Sequence, residues 1–395
     1  MTPLLPVADA QARLFAMAPR VASERLPLAS AAGRWTAEPV VALRAQPGAD
    51  LSSMDGYAIR FDDLPGPWRV IGESAAGRAF SDSIGPGEAA RIFTGAAMPA
   101  GADSVLVQEE ARRDGEALAL IGEGPPRRGA SVRREGLDFE RGAVLIDAGT
   151  RLTPAAIALA ATGGHGALNV NRRLRVTIMA TGDELIAPGT ASDDPLALPE
   201  GNSAMLAAML ADLPVDVTVA GIISDRLDAL TAAFSGANAD IIVTTGGASV
   251  GDHDLVRPAL EAAGGAVDFW RIAIRPGKPM LAGRLRDAVL LGLPGNPVSA
   301  FVTATLFLRP LIAAMAGAVD PLPRTLRAEL AEPLPANDHR QDYLRATIID
   351  GRVSAAAMQD SSMLATLARA TCLIVRPPHA PSAAIGDIVD ILPLA

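Results

Sequence analysis

Five short segments set carboxylates, cations and glycines side by side: Thr181-Gly182-Asp183-Glu184, Ser224-Asp225, the run 246–254 (Gly246-Gly247-Ala248-Ser249-Val250-Gly251-Asp252-His253-Asp254), Arg275-Pro276-Gly277-Lys278-Pro279 and Gly292-Leu293-Pro294-Gly295-Asn296-Pro297. Glycine-rich turns at helix starts offer free N–H groups to an anion. The acids Glu184, Asp225, Asp252 and Asp254 would repel that anion unless a hard cation lay between them, and oxygen-only donors suit magnesium. With Arg271, Arg275 and Lys278 close by in the chain, the chemistry expected is that of a metal–phosphate site. Lys278 stands out on composition as well. Of 35 basic residues 34 are arginine and Lys278 is the one lysine, which fits a site that takes a compact ammonium rather than a planar guanidinium.

Other motif readings are weaker. Gly247-Ala248-Ser249-Val250-Gly251 matches the G-x-S-x-G elbow of serine hydrolases, but its base would have to be His339 or His379, far along the chain and in no recognisable context. The turn Ala180-Thr181-Gly182-Asp183-Glu184 is not the G-x-G-x-x-G of a dinucleotide site, and no Walker A run precedes the lysine. Segment 52–60 packs hydroxyls, Asp55 and Gly56 into one junction, which alone reads equally well as a capped turn entering a strand. Phe93-Thr94-Gly95 and Arg133-Arg134-Glu135-Gly136-Leu137-Asp138, taken alone, are ordinary turns.

The elements that must position the five segments are regular from Leu174 onward. Apolar strands at 176–180, 215–223, 241–245 and 288–291 alternate with helices at 203–211, 226–234, 255–263 and 297–315. That alternation predicts a parallel sheet with helices on both faces, where ligands bind beyond the carboxyl ends of the strands. All five segments fall at that edge. Upstream, 7–45 reads as a helix and then extended chain, whereas 46–147 breaks into short β-like pieces separated by Gly, Pro and Asp. Thr153-Pro154 then opens an Ala-rich helix that stops at Gly163-Gly164. Helical segments on both sides of the β-rich piece predict one elongated helical domain (1–45 and 148–173) carrying a β-rich insert domain (46–147). An α/β domain (174–322) follows, and the chain turns β-like again after Pro321-Leu322-Pro323, for a C-terminal β domain (323–395).

Composition narrows the function classes. At 49% hydrophobic and 20% charged residues the 395-residue chain has apolar surface to bury, unlike a disordered one. Aromatics at 4% and a net charge of -9 argue against nucleic acid, which needs stacking rings and a basic face. The single Cys372 excludes an internal disulfide and a cysteine zinc site. The first residues lack a signal-peptide pattern and no uninterrupted apolar run reaches a membrane span, so the expected setting is the cytoplasm, away from membranes.

Read together and in order, Ser53-Met54-Asp55-Gly56-Tyr57-Ala58, Thr181-Gly182-Asp183-Glu184-Leu185, the run 246–254, Pro276-Gly277-Lys278-Pro279 and Gly292-Leu293-Pro294-Gly295-Asn296-Pro297-Val298-Ser299 resemble the molybdopterin molybdenumtransferase family, the MoeA and gephyrin E-domain type, over nearly the whole chain. The resemblance implies an elongated helical domain with a β-rich insert, a central doubly wound α/β domain of the molybdopterin-binding type and a small C-terminal β-barrel. It also implies the last step of molybdenum cofactor biosynthesis, in which adenylylated molybdopterin and molybdate react with a divalent metal, Mg2+, to give the loaded cofactor and AMP.

By similarity, Glu184, Asp225 and Asp254 would hold the metal, and Lys278 would meet molybdate with help from Arg275, Arg345, Ser361 and Ser362. Gly246, Gly247, Ser249, Asp252, Arg271, Pro294, Asn296 and Pro297 would bind substrate. Asp55, Thr94 and Asp138 would join Glu184 and Lys278 in catalysis, reaching the site from the second subunit of a homodimer. Implied partners are the molybdopterin adenylyltransferase and the apoenzymes that receive the cofactor. Two alternatives stay open. The α/β domain alone resembles that adenylyltransferase, whose family has Thr-Gly where this chain has Ala248-Ser249; and gephyrin also serves as a scaffold, a role against which the retained acids and Lys278 argue.

Overall fold

A computed structural model describes residues 4–247 and 255–394. Its centre is a six-stranded sheet of β1 (Leu174–Thr181), β2 (Val215–Ile223), β3 (Ile241–Thr245), β4 (Ala266–Trp270), β5 (Leu281–Leu285) and β6 (Ala288–Leu293), in the order β2-β1-β3-β6-β5-β4. β3 and β6 are buried along their whole length, which is why they read as unbroken apolar runs rather than alternations. Helices Asn202–Met209 and Pro297–Met315 cover one face through Leu206, Val302 and Leu311. Helices Leu227–Gly236 and Val256–Ala262 cover the other through Leu230, Phe234 and Leu260.

The sheet departs from the all-parallel expectation. β2, β1, β3 and β6 are parallel, but β5 runs antiparallel to both β6 and β4. Only Arg286 and Asp287 separate β5 from β6, too few for the crossover that a parallel pair requires. Arg286 takes φ 54 in that turn. A turn without Asn-Gly or Asp-Gly carries no strong hairpin signal in sequence, so nothing in the residues marks the antiparallel edge.

Helix Pro297–Met315 is, among the described residues, the one long and apolar enough to cross a membrane by length and composition, and 78% of it is buried inside the fold. Its middle turn, Ala304–Leu308, is π-helical and directly precedes Arg309-Pro310. Pro310 has no N–H to donate and its ring would crowd the carbonyl four residues back, a conflict that the wider turn relieves.

Asp240, at the entry to β3, ties the strands together. Its carboxylate accepts from both terminal nitrogens of Arg172 at 2.8 Å, from the Arg175 backbone N–H at 2.8 Å and from Arg175 Nη2 at 3.1 Å. Burial works to raise its pKa, but the bonds from Arg172 and Arg175 outweigh it and hold the carboxyl well below the ordinary carboxylate range. A depressed pKa means that the stabilisation is complete above that range and is lost as pH falls through it. Asp240→Asn should therefore cost about 2–3 kcal/mol at neutral pH, the two guanidiniums being partly solvated. Urea denaturation should find that gap closing below about pH 3; a gap that persists in acid would contradict this assignment.

The chain on either side of the insert is stitched into one unit. Ser23–Pro27 pairs antiparallel with Ala167–Asn171 and Val40–Val41 with Val144–Ile146, over a core of Val40, Ile146, Leu152, Leu168 and Val170. Its helix Pro154–Thr162 starts with Thr153 Oγ1 accepting from Ala156 N. The first helix, Val7–Met17, packs elsewhere: Val7, Ala10 and Leu14 join the central core rather than this unit. The insert is a six-stranded sheet around Ile59, Trp68, Val70 and Leu106.

The C-terminal strands close on themselves. Leu326–Leu330, Ile388–Pro393, Cys372–Arg376, Gln341–Ile349 and Arg352–Ala355 pair in a ring that returns to Leu326–Leu330, a five-stranded barrel. Cys372 is fully buried among Leu330, Val353 and Ile374, where burial raises its thiol pKa, so it serves as a small hydrophobe. The barrel also reaches out of itself: Ile274-Arg275, just before Lys278, pairs in parallel with Gln341-Asp342.

Candidate functional site

The carboxyl ends of β1, β3 and β6 are in register, Ala180 opposite Thr245 and Thr245 opposite Leu293, so the loops that follow emerge together. After β1, Thr181 Oγ1 donates to the Asp225 carboxylate, and the Asp225 N–H donates to Asp183 Oδ1 at 3.0 Å. Glu184 folds back over Gly182, where a Cβ would lie 2.8 Å from either carboxylate oxygen. After β3, Gly246 has φ +89 and a Cβ on it would sit 2.2 Å from the Thr181 carbonyl oxygen. Only glycine fits there. After β6, the Gly295 carbonyl accepts from Asn202 Nδ2 at 2.7 Å, and Asn296 Oδ1 is buried with no hydrogen-bond partner among the described residues. A buried acceptor without a donor is costly, which makes this atom a candidate to accept from a bound group.

These loops border two adjoining clefts. One, of about 640 Å3, is lined by Gly246, Asn296, Arg275, Lys278 and the barrel residues Asp360 and Ser361. The other, of about 720 Å3, is lined by Glu184, Asn202, Met205, Pro297, Ser362 and Leu364. Gly246, Gly295 and Asn296 belong to both. A cleft bearing two cations thus opens beside one of similar volume with apolar walls and the carboxylates of Glu184 and Glu200.

Lys278 is set by its loop. Gly277 has φ +113 and its Cβ position is 2.6 Å from Thr303 Cγ2, with Pro276 and Pro279 on either side of the pair. Arg275 is held at the loop base by Asp342, both of whose carboxylate oxygens lie 2.9 Å from Nε, and by Asn337 Oδ1 at 3.1 Å.

Of the residues expected at the site, Gly246, Gly247, Arg275, Lys278, Pro294, Asn296 and Ser361 line the first cleft, and Glu184, Pro297 and Ser362 the second. Asp225 adjoins through Thr181. Arg271 borders a different cavity that it shares with Lys278. Ser249, Asp252 and Asp254 lie outside the described residues. Asp55 accepts from the Thr94 N–H at 2.7 Å and its Oγ1 at 2.9 Å, bonds that hold its carboxyl below the ordinary range, while Asp138 lines a small cleft with Leu51 and Arg133. None of these three borders the Lys278 clefts. As to metal, Glu184 and Asp225 supply the hard oxygen donors that a divalent cation takes, although no group of three acids assembles among the described residues.

Arg345 is placed differently from the expectation. It is 1% exposed and lines neither cleft; its guanidinium donates to Gln359 Oε1 at 3.2 Å and to the Asp360 carbonyl at 2.8 Å, and Gln359 Nε2 returns a bond to the Arg345 carbonyl at 2.9 Å. Asp360 in turn accepts from both N and Oγ of Ser362. Arg345 therefore fixes the loop that brings Ser361 and Ser362 to the clefts. Arg345→Lys keeps the charge but loses the fork, and should cost about 1–3 kcal/mol of stability. A melting curve that matches wild type would contradict that role. Gln359, Asp360 and Asn202 carry no distinguishing pattern in the sequence; only proximity in the fold singles them out.

Known proteins match this arrangement along the chain. Residues 5–164 match the family described as the MoeA N-terminal region (domain I and II), 177–314 a probable molybdopterin binding domain, and 327–394 the MoeA C-terminal region (domain IV). The chain is similar to a molybdopterin molybdenumtransferase of Haemophilus influenzae, 33% identical and covering 94% of each chain, and to one of Bacillus subtilis, 31% identical over 98% of this chain and 94% of the other. Two solved structures of a molybdopterin biosynthesis MoeA protein from Pyrococcus horikoshii superpose with TM-scores of 0.83 and 0.86, at 27% and 25% identity, over at least 99% of both chains.

Proposed function

Since the chain belongs to the molybdopterin molybdenumtransferase family of the MoeA type, we propose that it transfers molybdenum from molybdate into adenylylated molybdopterin and releases AMP. The observation that carries this reading is the pair of joined clefts: one with Arg275 and Lys278 on its wall and one with Glu184, sharing Gly246, Gly295 and Asn296. A small dianion and a large phosphorylated pterin need such neighbouring compartments. Matches on both sides of the central α/β domain separate the chain from an adenylyltransferase resembling that domain alone.

The Lys278 ammonium and the Ser361 hydroxyl hold molybdate in the smaller cleft, where a point charge with rotatable donors suits a tetrahedral oxyanion. Arg275, already paired with Asp342, adds positive potential at the loop base. Asn296 accepts a hydrogen bond from the pterin substrate, satisfying its buried Oδ1, and the open Gly246-Gly247 turn lets the phosphates approach the backbone. Glu184, Asp225 and Asp254 would hold a divalent metal, Mg2+, which offsets the charge developing as the phosphoanhydride breaks. Asp55, Thr94 and Asp138 complete the site from the second subunit of a homodimer; within one chain none of the three lines either cleft, as a contribution in trans requires. Upstream and downstream partners are the adenylyltransferase and the cofactor-receiving apoenzymes.

The test is to mix the protein with adenylylated molybdopterin, magnesium and molybdate. AMP release coupled to molybdenum insertion is the expected result, and AMP release indifferent to molybdate would refute it.

A further inference from the structure

In the insert domain the Asp55 junction is built around Arg91. On strand Glu88–Ile92 this arginine stands opposite Tyr57 of strand Gly56–Ile59, so the two side chains share one face of the sheet. Its guanidinium is stacked, with Cζ 5.2 Å from the centre of the Tyr57 ring and 4.8 Å from that of Phe93, two residues further along the chain. Nη1 donates to the Gly56 carbonyl at 3.0 Å and Nη2 to Gln108 Oε1 at 2.7 Å. Gln108 in turn donates its backbone N–H to the Asp55 carbonyl at 3.1 Å. One guanidinium thus ties 55–57, 93–94 and 108 together around Asp55.

Both acceptors of Arg91 are neutral, and the carboxylates around it are bonded elsewhere. Glu73, its register partner on the neighbouring strand, accepts from Arg78 at 2.9 Å, and Glu109 accepts from Gln108 Nε2 at 3.2 Å. Asp55 bonds to Thr94; those bonds lower its carboxyl pKa most, burial opposes them, and the charge of Arg91 lowers it further. The division of labour follows. Thr94 fixes the carboxylate within its own turn, whereas Arg91 fixes that turn to strand Gly56–Ile59 and to Gln108. Without the second tie Asp55 and Thr94 stay bonded and shift as a unit.

We propose that Arg91 is the positioning residue of Asp55: it sets the carboxylate that the insert domain supplies to the reaction, and touches neither molybdate nor the adenylylated pterin. This role rests on the reading that places Asp55 in catalysis. A planar cation held by two rings and two acceptors suits it, because little of its freedom is left to lose and its fork reaches two segments at once.

The test is AMP release by the full chain, with adenylylated molybdopterin and molybdate varied in turn. Arg91→Gln should lower kcat about tenfold or more, the loss expected of a misplaced reacting group, with both KM values within about twofold of wild type. Arg91→Lys keeps the charge but not the fork and should recover only part of the loss. A double-mutant cycle with Asp55→Asn then separates positioning from general support. In that background Arg91 has nothing left to position, so Arg91→Gln should change kcat by less than about twofold, whereas a residue that merely steadies the insert domain keeps its whole effect. Should Arg91→Gln fail to fold, Gln108→Ala, at an exposed position, removes the Nη2 acceptor and should show the same coupling with a smaller loss. Effects that multiply in the cycle, or a raised KM with kcat unchanged, overturn the proposal. Wild-type kcat in Asp55→Asn removes Asp55 from the reaction, and this role with it, while molybdenum transfer stands. No AMP release by wild type overturns that reading itself.

Discussion

Lys278→Ala should lower molybdate-dependent AMP release by about 10²–10³-fold, the loss that follows removal of one preorganised donor to an oxyanion. That is about 3–4 kcal/mol of barrier. The size follows from how little the rest of the loop can compensate. Gly277 is confined by its φ of +113 and by Thr303, prolines flank the Gly277-Lys278 pair, and Arg275 is already bonded to Asp342 and Asn337. Lys278→Arg should recover only part of the loss, because a planar fork needs more room and a different set of angles than an ammonium. The measurement is the molybdate dependence of the rate at saturating adenylylated molybdopterin. The same molybdate dependence in the arginine variant as in wild type would refute the assignment.

Asp225→Ala should reduce the reaction by more than about 10²-fold, with the fold intact. Asp225 sits at the loop after β2, its carboxylate accepting from Thr181 and its N–H fixed by Asp183. Truncation leaves the Thr181 hydroxyl, on a residue 3% exposed, without its acceptor, a cost of about 1 kcal/mol in stability. Asp225→Asn keeps the acceptor and loses the charge, so it separates the two effects. If the carboxylate serves a divalent metal, the asparagine variant is thermally near wild type yet needs far more magnesium. Unchanged AMP release in magnesium by both variants would remove Asp225 from the metal set.

Some of this arrangement was legible in the residues and some was not. β1, β3 and β6 announced themselves as apolar runs because both their faces are covered, and once the sheet was read, the rule for carboxyl edges brought Thr181, Asp225, Gly246 and Asn296 together without any further signal. The antiparallel edge was hidden, since Arg286 and Asp287 make a tight turn without a recognisable turn pair. Arg345 shows a different limit. Its residue type announces anion recognition, yet whether an arginine faces a cleft or braces the loop behind it depends on tertiary neighbours; here Gln359 and the Asp360 carbonyl, fourteen and fifteen positions away, take the guanidinium. The N-terminal helix misled in the same way, because its apolar face of Val7, Ala10 and Leu14 says that it packs and not on what.

The parallel pairing of Ile274-Arg275 with Gln341-Asp342 gives the molecule a mechanical property. By chain the lysine loop belongs to the sheet, but its base is gripped by the barrel, which also carries Ser361 and Ser362. The cleft proposed to hold molybdate thus has one jaw on each module. A rotation of the barrel about this grip would carry Ser361 and Ser362 away from Gly246 and Asn296, while Lys278, whose neighbour Gly277 packs on Thr303, stayed with Glu184 and Asp225 on the α/β module. Access to the compartment would then change by movement of a whole module, with the lysine and carboxylate half left in place.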